Sequence, residues 1–373
     1  AMPRDTAESR IDYIARSAED FFGQELDDIS APGGESRSSF RLHFPDRTVI
    51  ATLRPNFRRT HLEGYVLGQL SEHCDDVPRA LGVVEEILFQ EDVGGRRLNV
   101  AIAEVEGIEQ HEMAHAAVSS IFRFQSAARK TDLAEMLPHL GDNAEWYENF
   151  IGAVEALEPY GGGIPDSFDP YAVLDALDVP KTQFIKWDCR SGNAALGDDG
   201  RLRWFDFEYS GIRHGAEDFA WLIGDEAWPM DPSDMVDIVI DAFDPECGHT
   251  MDAYFEYLSH YTVFHCIQRF KLIVKEAEKR GWQKKEKVRK YDDAGIHPDF
   301  AAHICKVGGY FAAQYPLTSC LRDHFEAAEK NFRTLSERDA RRACAPRAAS
   351  NLQQALAPEP ETEPVRTPQG GGT

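Results

Sequence analysis

The sequence predicts an α+β protein in two parts, a small antiparallel sheet with a helix followed by a larger and mainly helical portion. Three observations carry this. A glycine turn, a β-branched hairpin, a helical stretch and two further short strands follow one another within about 95 residues. Helical periodicity dominates residues 103–160 and returns over 216–340. Between these helical stretches, residues 183–209 switch to strand, polar loop and strand.

Taken in order, residues 5–30 place Ile11, Ile14, Ala15, Ala18, Phe21 and Phe22 at helical spacing, and Pro32-Gly33-Gly34 breaks the pattern. Residues 36–44 form a strand-like run. Pro45-Asp46-Arg47 supplies a turn, and the β-branched residues 48–54 return as the second strand of a hairpin. Residues 60–74 align Leu62, Val66, Leu67 and Leu70 on one helical face. Residues 77–90 predict two short strands around a turn, and Asp92-Val93-Gly94-Gly95 reads as a connector. Gly161-Gly162-Gly163-Ile164-Pro165 closes the helical stretch, and 171–178 gives a short helix. Short strands are then expected at 183–186, 194–196 and 202–205. The expected boundaries are 1–92 for the small part and 93–345 for the large one. Residues 346–373, rich in Ala, Pro, Glu and Gly, are expected to be a disordered tail.

Composition narrows the function. The chain has 373 residues, 42% of them hydrophobic, enough for a sizeable core. Its 40 Lys and Arg against 64 Asp and Glu give a formal charge of −24. Such a chain repels nucleic acid and anionic membrane and favours cationic ligands. No run of 18 apolar residues suggests a membrane span. Arg4, Asp5, Glu8 and Arg10 stand where a secretory leader needs an apolar core. The seven cysteines are scattered and form no CxxC pair, the pattern of a reduced, cytoplasmic protein without a structural zinc site. His111 and His115 share a helix face but read as surface. No heptad pattern indicates an oligomeric state.

The chemistry concentrates in Lys186-Trp187-Asp188-Cys189-Arg190-Ser191-Gly192-Asn193, followed by Asp206-Phe207-Glu208 at a strand end. Phosphoryl transfer from ATP needs one carboxylate to orient the attacking hydroxyl and take its proton. It also needs hard oxygen donors for Mg²⁺, which neutralises charge on the phosphates. Asp188 suits the first role, and Asn193 with Asp206 suits the second.

These residues resemble the aminoglycoside phosphotransferase and choline kinase group, within the protein-kinase-like fold, whose catalytic loop reads H-G-D-x-x-x-x-N and whose metal motif reads D-[FW]-[DEG]. The similarity continues through Gly211-Ile212 to Ala216-Glu217-Asp218-Phe219-Ala220, where Asp218 matches an Asp that braces the catalytic loop, and it spans roughly residues 30–225. The resemblance implies a two-lobe fold and an ATP- or GTP- and Mg²⁺-dependent transfer to the hydroxyl of a small molecule. The acidic balance of the chain is compatible with a cationic acceptor, such as an aminoglycoside, amino alcohol or amino sugar, without establishing one. The resemblance also implies that Arg54 and the turn carrying Ser36, Ser38 and Ser39 position the phosphates, and that Glu63 pairs with Arg54. The nucleotide hinge would fall at residues 87–92, which include Gln90 and Asp92.

Three departures stand out. Arg54 replaces the usual strand Lys, and its planar fork reaches differently. Lys186-Trp187 replaces His-Gly, which puts a cation near Asp188. Arg190 sits two residues after Asp188, to neutralise the transferring group or to face solvent. The alternatives are a pseudokinase or nucleotide-binding scaffold, and an enzyme that transfers a nucleotidyl group. The basic island over residues 280–290 reads as a solvated helix face or as a docking patch for an anionic substrate or partner.

Overall fold

The computed structural model describes residues 7–34 and 36–355. Helix α1 (Ala7–Phe22) is followed by strands β1 (Asp28–Ser30), β2 (Ser39–His43) and β3 (Thr48–Leu53), helix α2 (Phe57–Leu70), and strands β4 (Ala80–Val84) and β5 (Ile87–Glu91). The strands form one antiparallel sheet in the order β1-β2-β3-β5-β4. The helix expected over 5–30 stops at Phe22, and Gly23 takes a left-handed φ of +63° that ends it. The chain then adds β1 at the sheet edge, a strand too short to show a period of two in sequence.

Strand alternation decides what reaches the interior. Phe40, Leu42, Val49, Ala51, Ile87 and Phe89 point to one face, where Ile14 and Ala18 of α1 cover them. Ser39, Arg41, Ile50, Thr52 and Gln90 point to the other and line a cleft. On that side α2 packs so closely on the sheet that a Cβ at Gly64 would strike the Val83 side chain. Asn56 caps α2, its side chain accepting from the Arg58 N–H at 3.1 Å.

After β5 the chain crosses through β6 (Arg96–Arg97) and α3 (Leu98–Ala101) into α4 (Gly107–Ala128), then through shorter helices to β7 (Gln183–Ile185). β8 (Ala194–Leu196) and β9 (Leu202–Trp204) pair antiparallel, with β6 on the outer side of β8. β10 (Gly211–Arg213) pairs antiparallel with β7. β6 and β10, only two and three residues long, were not foreseen. The rest is helical, built around the 30-residue helix Met251–Arg280, which is buried from Tyr254 to Ile273 against helices Ala216–Ile223 and Pro298–Ala312.

Val66, Leu67, Leu70, Val77 and Leu88 of the small lobe belong to the same apolar cluster as the interior of the large lobe. The last helix, Arg322–Ala355, runs into the segment expected to be a tail, and residues 356–373 lie outside the described residues. No helix among the described residues is long and apolar enough to cross a membrane.

Candidate active site

The catalytic-loop candidate begins where β7 ends. Trp187 and Asp188 both adopt left-handed backbone, with φ of +54° and +50°, unusual for residues with a Cβ. Asp218, fully buried at the start of helix Ala216–Ile223, holds them there. Its carboxylate accepts the Lys186 N–H at 3.0 Å, the Trp187 N–H at 2.8 Å and the Gln125 amide at 3.0 Å. Burial raises the Asp218 carboxyl and these donors oppose it, which leaves the group at about 6. Asp225 braces the far end, accepting the Ser191 N–H at 2.9 Å and its hydroxyl at 2.5 Å. Asp218 was legible in the sequence. Gln125 and Asp225 were not, since a lone polar residue on a helix face, or in the turn after a helix, carries no local signal.

Lys186 does not face the cleft. It is fully buried, with Nζ donating to the Asp188 carbonyl at 3.0 Å and lying 5.4 Å from the Phe207 ring centroid. Arg190 takes neither expected role, since its Nε and Nη2 donate to the two Asp188 carboxylate oxygens at 2.7 and 3.3 Å. Burial would raise the Asp188 carboxyl, but Arg190, then Lys186, overcome it and hold the group well below the usual carboxylate range.

Across the cleft, Arg54 continues the face of Ile50 and Thr52, so the hairpin register delivers a cation to the site. Its Nη2 donates to Glu63 at 2.9 Å and to Asp206 Oδ1 at 2.8 Å, and its Nη1 meets Glu208 at 2.8 Å. Arg54 is therefore shared by three carboxylates. Burial raises the Glu63 carboxyl above its usual range, and Arg54 pulls it back. Asp206 has a left-handed φ of +65°, a conformation Asp tolerates better than most residues.

Asn193 lines the same cleft as Asp206, and its Nδ2 donates to the Asp188 carbonyl at 2.9 Å. Ser38, Ser39 and Gln90 also line it, and the Gln90 Oε1 is buried without a hydrogen-bond partner. Ser36 is exposed and stands outside the cleft wall. Asp92 lies in the wall, but its carboxylate is already engaged by Arg41 at 2.7 Å, Thr48 at 2.8 Å and the Gly94 N–H at 3.0 Å. It anchors the crossover, leaving its backbone to face a ligand. The cleft encloses about 1080 Å³.

The basic island keeps Lys284, Lys287 and Lys290 exposed, but one side of it docks on the large lobe and borders the cleft. Helix Lys285–Tyr291 buries Val288 against Ile296 and Phe300, and Arg289, Lys290, Tyr291 and Asp292 line the cleft. The Asn99 side chain donates to the Arg289 carbonyl at 2.9 Å, and Asp292 stands 3.5 Å from Arg190. The His115 ring bonds Asp241 at 2.7 Å, and no metal-binding cluster of His, Cys, Asp and Glu occurs among the described residues.

No protein-family model and no curated protein matches this sequence. Solved structures do. A choline/ethanolamine kinase family protein from Mesorhizobium loti aligns over 87% of this chain and 100% of its own, with a TM-score of 0.50 and 12% identity. The macrolide 2'-phosphotransferase MphH of Brachybacterium faecium aligns over 75% and 97%, with a TM-score of 0.49 and 13% identity. An aminoglycoside phosphotransferase from Alicyclobacillus acidocaldarius aligns over 81% and 93%, with a TM-score of 0.49 and 10% identity. The chain has the two-lobe α+β fold of the Mesorhizobium protein.

Proposed function

We propose that this chain is a Mg²⁺-dependent phosphotransferase that moves the γ-phosphoryl group of ATP, or GTP, to a hydroxyl of a small molecule. The observation that carries this reading is the meeting of Arg54, Glu63, Asp206 and Asn193 at one cleft, beside a loop whose strained backbone is fixed by Asp218. The similarity in fold to a choline/ethanolamine kinase family protein supports it. The net charge of −24 favours a cationic acceptor.

The donor set suits the ion. Asn193 commits its amide nitrogen to Asp188, which leaves its amide oxygen as a ligand, and Asp206 keeps Oδ2 while Oδ1 accepts from Arg54. Both are hard oxygen donors of the kind Mg²⁺ takes. The bound ion would supply neutralisation of phosphate charge. Asp188 would accept a hydrogen bond from the acceptor hydroxyl and aim it. Kept ionised by Arg190, it is a weak base, so its part is chiefly orientation, with the proton received late in the transfer.

One observation favours a second reading, a pseudokinase. The Arg190 fork covers both Asp188 oxygens, so a hydroxyl must compete for them.

Calorimetric titration with Mg-ATP and Mg-GTP tests the proposal. Asp206→Asn tolerates the left-handed φ and keeps the fold, and it should weaken Mg-nucleotide binding at least tenfold. Asp188→Asn should retain binding and lose transfer to a panel of amino alcohols and aminoglycosides. A wild-type chain that binds no nucleotide overturns the proposal. Nucleotide binding without transfer to any hydroxyl compound selects the pseudokinase.

A further inference from the structure

Three of the six arginines that line the cleft lack what the others have. Arg41 is matched by Asp92, Arg54 by Glu63, Asp206 and Glu208, and Arg96 by Glu104. Arg37, Arg97 and Arg289 line the same cleft and form no ion pair among the described residues. They come from three separate elements. Arg37 belongs to the turn before β2, where its side chain lies against Gly33 and Nη2 donates to the Tyr291 carbonyl at 3.0 Å, a neutral acceptor. Arg97 ends β6, with its guanidinium 5.9 Å from the ring centroid of Phe205, the neighbour of Asp206. Arg289 sits in helix Lys285–Tyr291 over the Phe300 ring, with its Nε buried and unpartnered.

Two of the three, Arg37 and Arg97, are close enough for their charges to matter. Arg97 feels Arg37 and Arg41 as like charges, and Asp206 and Asp292 as opposite ones. Burial lowers the Arg97 and Arg289 guanidiniums. A cation drawn partly out of water with no carboxylate in direct ion-pair contact is costly. The sequence has 64 Asp and Glu, yet none among the described residues pairs with these three. Arg54, in contrast, already serves three carboxylates through its two Nη atoms, and its Nε is buried without a partner.

We infer that Arg37, Arg97 and Arg289 form the clamp for the phosphate chain of the nucleotide, the task the sequence assigned to Arg54. Arg54 instead is a positioning residue that holds Asp206 in place. The inference rests on the phosphotransferase reading. It gives the 285–291 helix a purpose, since that helix closes the clamp from the large lobe while Arg37 closes it from the small one.

Binding of adenosine, ADP and ATP to the full chain in Mg²⁺ tests it, with wild type, Arg37→Ala, Arg97→Met, Arg97→Lys and Arg289→Met compared. Each neutral variant should weaken ADP and ATP about tenfold or more while adenosine stays within about twofold, as expected for charge-assisted bonds to phosphate. Arg97→Lys should recover part of the loss, and unfolding midpoints check that each variant folds. Unchanged ADP and ATP affinity in the neutral variants overturns the clamp and leaves the phosphotransferase reading standing. An equal loss for adenosine also overturns it. If the wild type binds no nucleotide, both fall.

Discussion

Arg190 grips Asp188 through both carboxylate oxygens, two residues away along a loop whose backbone cannot relax without breaking its bonds to Asp218. The side chain taken for a free catalytic carboxylate is thus half of a local ion pair, and this sets the first expectation.

Replacing Arg190 by Gln removes the main cation that holds Asp188 low, so the Asp188 carboxyl rises toward its ordinary range. The acid limb of the pH profile for phosphoryl transfer should move to higher pH, and a carboxyl titration followed by NMR should show the same displacement. An unmoved titration would mean that Lys186 alone keeps Asp188 ionised.

Arg54 predicts a stability loss that depends on geometry. Arg54→Ala leaves Glu63, Asp206 and Glu208 with only Arg59, 3.6 Å from Glu208, as a nearby cation, and should cost about 3–5 kcal/mol in urea unfolding. Arg54→Lys restores one point charge but not the fork, and should recover only part.

Asp292 makes a prediction about pH. Burial raises its carboxyl from 3.8 to about 6, against Arg190, so between these values the folded chain holds a proton that the unfolded chain has released. Stability from this group therefore falls as pH rises through about 4 to 6. Asp292→Asn should flatten that decline and gain on the order of 1–3 kcal/mol at pH 7 relative to pH 4. Thermal unfolding across this range reads it directly.

Gly192 has a Cβ position already filled by the Asp292 carboxylate. Gly192→Ala must push the 285–296 segment off the catalytic loop, at a cost of about 1–3 kcal/mol. Protease cleavage within 284–293 should quicken. A variant as resistant as wild type would mean that the segment adjusts without undocking.

Much of this was legible in the chain. The hairpin was readable because its alternation has a period of two, and that same alternation put Arg54 in the cleft. Asp188, Asn193, Asp206 and Asp218 were readable because short spacings along the chain tie them together. What stayed hidden depends on contacts between distant segments. The burial of Lys186 is set by Phe207, and the docking of helix Lys285–Tyr291 is set by Ile296, Phe300 and Asn99. Seven residues with one buried apolar side chain give no periodic signal, so the run reads as either a solvated face or a docking patch. Ser36 fell outside the cleft because alternation in the turn could not be counted before β2 begins at Ser39.

The apolar continuity of α2 and β5 with the large lobe has a mechanical consequence. Val66, Leu67, Leu70 and Leu88 ride with the large lobe, whereas the face under α1 is a separate core. Closure of the cleft will thus resemble the bending of a jaw more than the swing of a door. In that closure the strip from β1 to β3 would move over an anvil formed by β5 and α2. Arg37, at the tip and already touching the Tyr291 carbonyl, is the tooth that meets the opposite side first.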